Sequence, residues 1–163
     1  MTRVLAVGDH FVLNRLLIDA LHREVPDGLD VTELTLPWPI EPFGRIAEVN
    51  EASGSEDAMI DALRGVETCV THMAPLTEKV LAASSDLRLF CVSRGGPVNT
   101  NLAAATEHGV AVTFAPGRNA TATAEHTLAT KAAQIVAGDV GRYLRGEPLA
   151  YCANPSALST STA

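Results

Sequence analysis

Short apolar runs bounded by Gly, Pro, Asp or Ser recur along this chain, at 3–7, 30–36, 66–71, 87–92 and 110–114. Each has the length and the β-branched content of a buried strand. Between them the apolar positions shift to helical spacing. Leu13, Leu16, Leu17, Ala20 and Leu21 share one face after the first run, and Met59, Ala62 and Leu63 share another before the third. Ser53 or Ser55 is placed to cap that second helix and Gly65 to stop it; Thr77 caps a short helix reaching Ser84. A further helix runs over about 100–108 and stops at Gly109. Strands alternating with helices predict an α/β domain: a three-layer, doubly wound parallel sheet, flavodoxin-like, with five strands in the order 2-1-3-4-5.

From Thr121 onward Leu128, Ala132, Ile135, Val136, Val140, Tyr143 and Leu144 keep one helical face almost to Gly146. One long helix over 121–146 is predicted, with Gly138 and Gly141 marking 138 as the place where it would break. The domain then occupies 1–150, and the tail at 151–163 has no periodicity and is expected to be largely disordered. Three prolines within 37–42 exclude regular structure there. Trp38 and Phe43 are expected to cover an edge of the core or the mouth of a cleft.

Ligands of open parallel sheets sit at the carboxyl ends of the strands, which directs attention to the loops 93–99 and 114–121. In the first, Gly95 and Gly96 free the backbone to turn sharply and to approach a ligand with its amides. Asn99 is a good N-cap for the helix that follows, and its dipole would add to a site for a small carboxylate. The competing reading is a Gly-Gly-Pro turn that only reverses the chain.

Composition narrows the classes. With 163 residues, 47% of them apolar and 4% aromatic, one core built from Ala, Val and Leu is affordable without staples. A net charge of -7 argues against nucleic-acid and anionic-membrane partners. No apolar run is long enough to span a bilayer, and MTRVLAVGD leads directly into a strand rather than reading as a signal peptide. The three cysteines have neither CxxC nor metal-ligand spacing; Cys69 and Cys91 fall in buried strands and Cys152 in the tail. Reduced thiols in a cytoplasm are expected, and the five scattered histidines offer no metal site.

No GxGxxG follows any strand, so a dinucleotide cradle is absent. The Gly8-Asp9-His10-Phe11 turn lacks the hydroxyls an FMN phosphate would want. A phospho-receiver would need an Asp after strand three and a Lys after strand five, where this chain has His72-Met73 and Ala115-Pro116.

The run VTHMAPLTEKVLAASSDLRLFCVSRGGPVNTNLAAATEHGVAVTFAPGRNATATAEHTLA resembles the substrate (catalytic) domain of the D-isomer-specific 2-hydroxyacid dehydrogenases, the family of phosphoglycerate dehydrogenases and glyoxylate/hydroxypyruvate reductases. The resemblance covers 1 to about 129. KAAQIVAGDVGRYLRGEPLAYCANPSAL is similar to that family's extreme C-terminus, where the chain returns to the substrate domain. In a full-length relative a whole NAD-binding Rossmann domain stands between the two segments, which here meet at 129–131. The resemblance therefore implies an NAD(P)-dependent oxidoreductase with its coenzyme domain removed.

In the family the catalytic Arg, carboxylate and general-acid His lie in the coenzyme domain, so the resemblance supplies this chain with no catalytic residue and no bound cofactor. His126, His72 and His108 are not promoted into those roles. Arg94, Gly95 and Gly96 match the loop whose backbone amides hold the substrate carboxylate, and His72 and Met73 match the loop lining the other side of that pocket. Asn119 and Glu125 match the segment facing the coenzyme domain across the cleft. Half a pocket should bind a small 2-hydroxy or 2-keto acid weakly and transfer no hydride. A stand-alone binding or interaction module on the same fold, and a dehydrogenase half working with a coenzyme domain in trans, are the two alternatives. Removal of the partner domain would expose the 121–146 helix, favouring a homodimer.

Overall fold

The computed structural model describes residues 1–38, 44–117 and 125–159. Five parallel strands, β1 (Thr2–Gly8), β2 (Leu29–Thr35), β3 (Thr68–Thr71), β4 (Leu89–Val92) and β5 (Ala111–Phe114), form one sheet in the order β2-β1-β3-β4-β5. This is the predicted flavodoxin-like order. Side chains alternate across the strands because successive Cβ atoms point to opposite faces. Leu5, Val7, Cys69, Phe90 and Val92 enter one core cluster, while Val4, Ala6, Val70, Leu89 and Cys91 enter the other.

Helices α2 (Glu56–Ala62), α3 (Glu78–Ala83) and α4 (Leu102–Glu107) cover the first face, through Met59, Val80, Leu81 and Ala105. Helices α1 (Asn14–Glu24) and α5 (Glu125–Leu144) cover the second, through Leu17, Ala20, Leu21, Ala133, Val136, Ala137 and Val140. Of the two candidate caps for α2, Ser55 is the one used: its Oγ accepts the Ala58 amide at 3.2 Å. Ser53 ties loops together instead, donating its amide to Met73 O at 2.9 Å and its hydroxyl to Pro37 O. Thr77 caps α3 as expected.

Three expectations need correction. Asn101, not Asn99, caps the helix after the Gly-Gly loop, accepting the Ala104 amide at 3.1 Å. Asn99 is fully buried and donates Nδ2 to Ala74 O at 2.7 Å, so its amide holds the neighbouring loop rather than a helix end. Second, the expected long helix is present, α5 being continuous through Gly138 and Gly141 with no break at 138, but its expected exposure is not. A Cβ on Gly141 would lie 3.6 Å from Cβ of Glu24, an ordinary contact, and 2.9 Å from Nη1 at the flexible end of Arg145, so the crossing of α1 and α5 does not demand glycine here. Ala129, Ala132, Ala133, Val136, Ala137 and Val140 of α5 are buried in the chain's own core, contrary to an exposed face.

Third, the tail is ordered through 159. Its backbone runs antiparallel beside β5, with Phe114 N donating to Tyr151 O at 3.2 Å and Ala153 N to Val112 O at 2.7 Å. Asn154 then accepts the Val112 amide at 2.7 Å and donates to Val110 O at 2.9 Å and Thr106 Oγ1 at 3.2 Å. An otherwise unpaired sheet edge is thereby covered. Pro155–Ser159 closes the segment as a 3-10 turn.

Candidate functional site

The strand order lines up the loops after β2, β1, β3 and β4 along one carboxyl edge. At the end of β1, Asp9 is 1% exposed and turns back on its own loop, Oδ1 accepting the amides of Phe11 and Val12 at 2.8 Å each. Its Oδ2 lies 2.5 Å from Nδ1 of His72, at the end of β3. Burial pushes the Asp9 carboxyl up, but the His72 hydrogen bond and charge, with the Val12 and Phe11 amides, outweigh burial and hold it below its usual 3.8. An ionised carboxylate only accepts, so Nδ1 of His72 carries the proton and the ring is fixed in place. Nε2 has no hydrogen-bond partner among the described residues.

Thr71 secures the turn that presents His72. Its hydroxyl donates to Val7 O at 3.0 Å and accepts the Ala74 amide at 3.0 Å. Met73 is buried, with its carbonyl held by Ser53, and belongs to the core rather than to an open pocket wall. Phe11 lies against the imidazole at a centroid distance of 5.6 Å, and Trp38 against Phe11 at 6.3 Å. Trp38 is 47% exposed, so this row of rings runs from solvent to the buried pair.

The next loop on the edge is Ser93 to Gly96. Ser93 N donates to Thr71 O at 2.7 Å, which sets this loop beside the His72 loop. Arg94 pairs with the Glu51 carboxylate and reaches Glu51 O at 3.3 Å, while its own carbonyl accepts the Ala115 amide at 2.7 Å. Its guanidinium thus clamps the 44–53 segment onto the loop. Glu51 stands in the left-handed region at φ 51°, a strained conformation for a residue with a side chain.

Gly95 and Gly96 do not adopt left-handed φ, so the sharp turn does not require glycine. A Cβ at either would meet nothing within 4 Å: the space above both is open, as an approaching ligand needs. At either end of the loop, the fully buried Ser93 Oγ and Asn99 Oδ1 find no hydrogen-bond partner among the described residues. The structure thus brings Arg94, Gly95, Gly96, His72 and Met73 to one edge. Asn119 lies outside the described residues, and Glu125 is the first residue of α5.

Sequence reasoning missed the partnership of Asp9 with His72 and the place of Phe11 beside it. The signal was present: in a 2-1-3-4-5 sheet, an Asp just after strand one and a His just after strand three end adjacent strands. Among the described residues no group of three or more His, Cys, Asp or Glu gathers to hold a metal. No described helix is long and apolar enough to cross a membrane.

Comparison with known proteins agrees with this architecture. Residues 34–154 match the family model for the D-isomer specific 2-hydroxyacid dehydrogenase catalytic domain. The chain belongs to that family. It is 38% identical over 72 residues to a putative 2-hydroxyacid dehydrogenase, YoaD, of Bacillus subtilis, a match covering 43% of this chain and 21% of that protein. It is 33% identical over 92 residues to a D-3-phosphoglycerate dehydrogenase of Synechocystis, covering 55% of this chain and 17% of the relative. Among solved structures, an NAD+-bound 3-phosphoglycerate dehydrogenase of Entamoeba histolytica superposes with a TM-score of 0.54 at 13% identity, over 72% of this chain and 34% of that one. The TT0316 protein of Thermus thermophilus gives 0.54 at 22% identity, over 89% and 39%. These structural likenesses speak to the fold. The matches take in 17% and 21% of the two curated relatives.

The family implies a nicotinamide coenzyme. The β1 loop, where a doubly wound sheet would cradle a pyrophosphate, has its Phe11 and Val12 amides already taken by Asp9. A Cβ on Gly8 would stand 2.5 Å from Asn14 Oδ1 and 2.6 Å from Val12 O, so the turn is closed as well. This loop does not fit the group.

Proposed function

We propose that this chain is the substrate domain of a D-2-hydroxyacid dehydrogenase, holding one half of an oxo-acid pocket and transferring no hydride by itself. The observation that carries the reading is the open space over Gly95 and Gly96 in a loop fixed beside the buried Asp9–His72 pair. The free amides of that loop would receive the carboxylate, with Arg94 acting indirectly by clamping Glu51. The continuous course of α5 across 129–131 supports the direct joining of two segments that flank a coenzyme domain in full-length relatives. Coenzyme, catalytic Arg and general acid would then all come from elsewhere.

The affinity should be low. A three-carbon acid has few atoms from which to recover the cost of immobilisation, and the family resemblance puts the Arg clamp opposite the amides in the coenzyme domain. Titration of isotope-labelled protein with glyoxylate or hydroxypyruvate should move the Gly95 and Gly96 amide resonances with a millimolar Kd. Unmoved Gly95 and Gly96 signals at saturating acid would end this reading.

A further inference from the structure

We propose that the Asp9–His72 pair and the Phe11–Trp38 rings form the specificity end of this pocket, selecting 2-oxo acids with a flat apolar substituent over phosphorylated ones. The inference rests on the substrate-domain reading and adds the class of acid.

The order of the strands supplies the geometry. Gly95 and Gly96 leave β4, His72 leaves β3, Phe11 leaves β1 and Trp38 follows β2, in that sequence along the carboxyl edge. Neighbouring strands are about 4.8 Å apart, so β4 and β1, with β3 between them, lie roughly 10 Å apart at the edge from which their loops leave. That is the reach of a short acid carrying one six-membered ring. With its carboxylate on the glycine amides, such an acid would carry its 2-oxo group past His72 and its substituent onto the rings of Phe11 and Trp38.

Each part suits that ligand. Asp9 holds His72 through Nδ1 and leaves Nε2 to meet the ligand oxygen; Asp9 is thus a positioning residue. Trp38 is 47% exposed and tilted at 45° to Phe11, which leaves a ring face and edge for a planar guest. Val98, 44% exposed, adds apolar surface near the Gly-Gly loop. Two guanidiniums near these loops are already engaged, which disfavours a second anionic group beside them. Arg94 is committed to Glu51, Arg45 donates Nε to Ala47 O at 2.8 Å and lies near Glu48, and Asp9 offsets any charge on His72.

The test is a set of NMR titrations of the full chain with phenylpyruvate, glyoxylate and 3-phosphohydroxypyruvate. The Gly95 and Gly96 amides, the His72 imidazole and the Trp38 indole N–H are followed. Phenylpyruvate should move all four signals and bind about tenfold more tightly than either other acid. Trp38→Ala, at an exposed position, should reduce phenylpyruvate to the affinity of glyoxylate without changing glyoxylate binding. Asp9→Asn should alter the His72 nitrogen shifts that report its tautomer and weaken all three acids. Equal affinities with a silent Trp38 would overturn this inference and leave the substrate-domain reading standing. Silence at Gly95 and Gly96 with every acid would overturn both.

Discussion

Nδ1 of His72 and Oδ2 of Asp9 meet at 2.5 Å across the carboxyl ends of two adjacent parallel strands, both side chains almost wholly buried. A carboxylate so placed carries stability that depends on pH. Its ionisation is favoured in the fold beyond the ordinary value of 3.8, against the effect of burial. The contribution is therefore complete above about pH 4 and is lost as pH falls through the lower folded value. Denaturation titrations should show wild-type stability dropping below about pH 4. Asp9→Asn should be less stable at pH 7, by about 2 kcal/mol, with a shallower acid decline. Parallel acid profiles for the two proteins would contradict the pairing.

Asn154 is 6% exposed and makes three hydrogen bonds to β5, its preceding residue and α4. Asn154→Ala strands the buried Val112 amide and should lower unfolding stability by about 3 kcal/mol. Hydrogen exchange should quicken at Val112 and Ala153 together. A loss below about 0.5 kcal/mol would show that the tail adds nothing to the edge.

Glycines at two loops should behave in opposite ways. Gly95→Ala meets open space and ordinary backbone, so stability should change by no more than about 0.5 kcal/mol while acid binding weakens. Gly65→Ala is strained at φ 69° and puts its Cβ 2.4 Å from Nη1 of Arg3, and should lose about 1–3 kcal/mol. Thermal melts and acid titrations of both variants check this; a destabilised Gly95→Ala with intact binding would invert the argument.

Thiol labelling gives a further check on the core. Burial pushes Cys91 up to about 12 and raises Cys69 well above 9.0, and the half-buried Cys152 is also raised by burial. At pH 8 a thiol reagent should leave Cys69 and Cys91 untouched in the native protein and label Cys152 slowly. Denaturant should release all three. Rapid native labelling of Cys91 would mean that β4 is not the buried strand described.

Much of the fold was legible in the sequence because buried parallel strands and amphipathic helices announce themselves by period. The five apolar runs follow from that, the order 2-1-3-4-5 from the doubly wound class that alternating strands and helices imply, and the cap at Thr77 from its residue type. Other features depend on partners distant in the chain. Asn99 and Asn101 are equally good caps by residue type, and only the bond from Asn99 to Ala74 decides between them. Asn154 sits in a segment without periodicity because polar contacts, its own amide and the Asp139 carboxylate that accepts the Ala150 and Tyr151 amides among them, hold it rather than a regular apolar face. Gly138 and Gly141 weaken a helix by residue type, and packing of the apolar face of α5 on the sheet outweighs that cost. At the candidate site the Gly95-Gly96 loop was visible as a motif, whereas the Asp9–His72 pair is formed by residues 63 positions apart.

On the proposed function, this is a folded substrate half without turnover of its own. The most direct measurement is a dehydrogenase assay with glyoxylate and hydroxypyruvate, each with NADH and with NADPH, on protein whose circular dichroism verifies the α/β fold. Folded protein with no oxidation of either coenzyme above background is the predicted result. Turnover above background, proportional to protein and abolished on unfolding, would contradict it and would place a coenzyme site and a proton donor within these 163 residues.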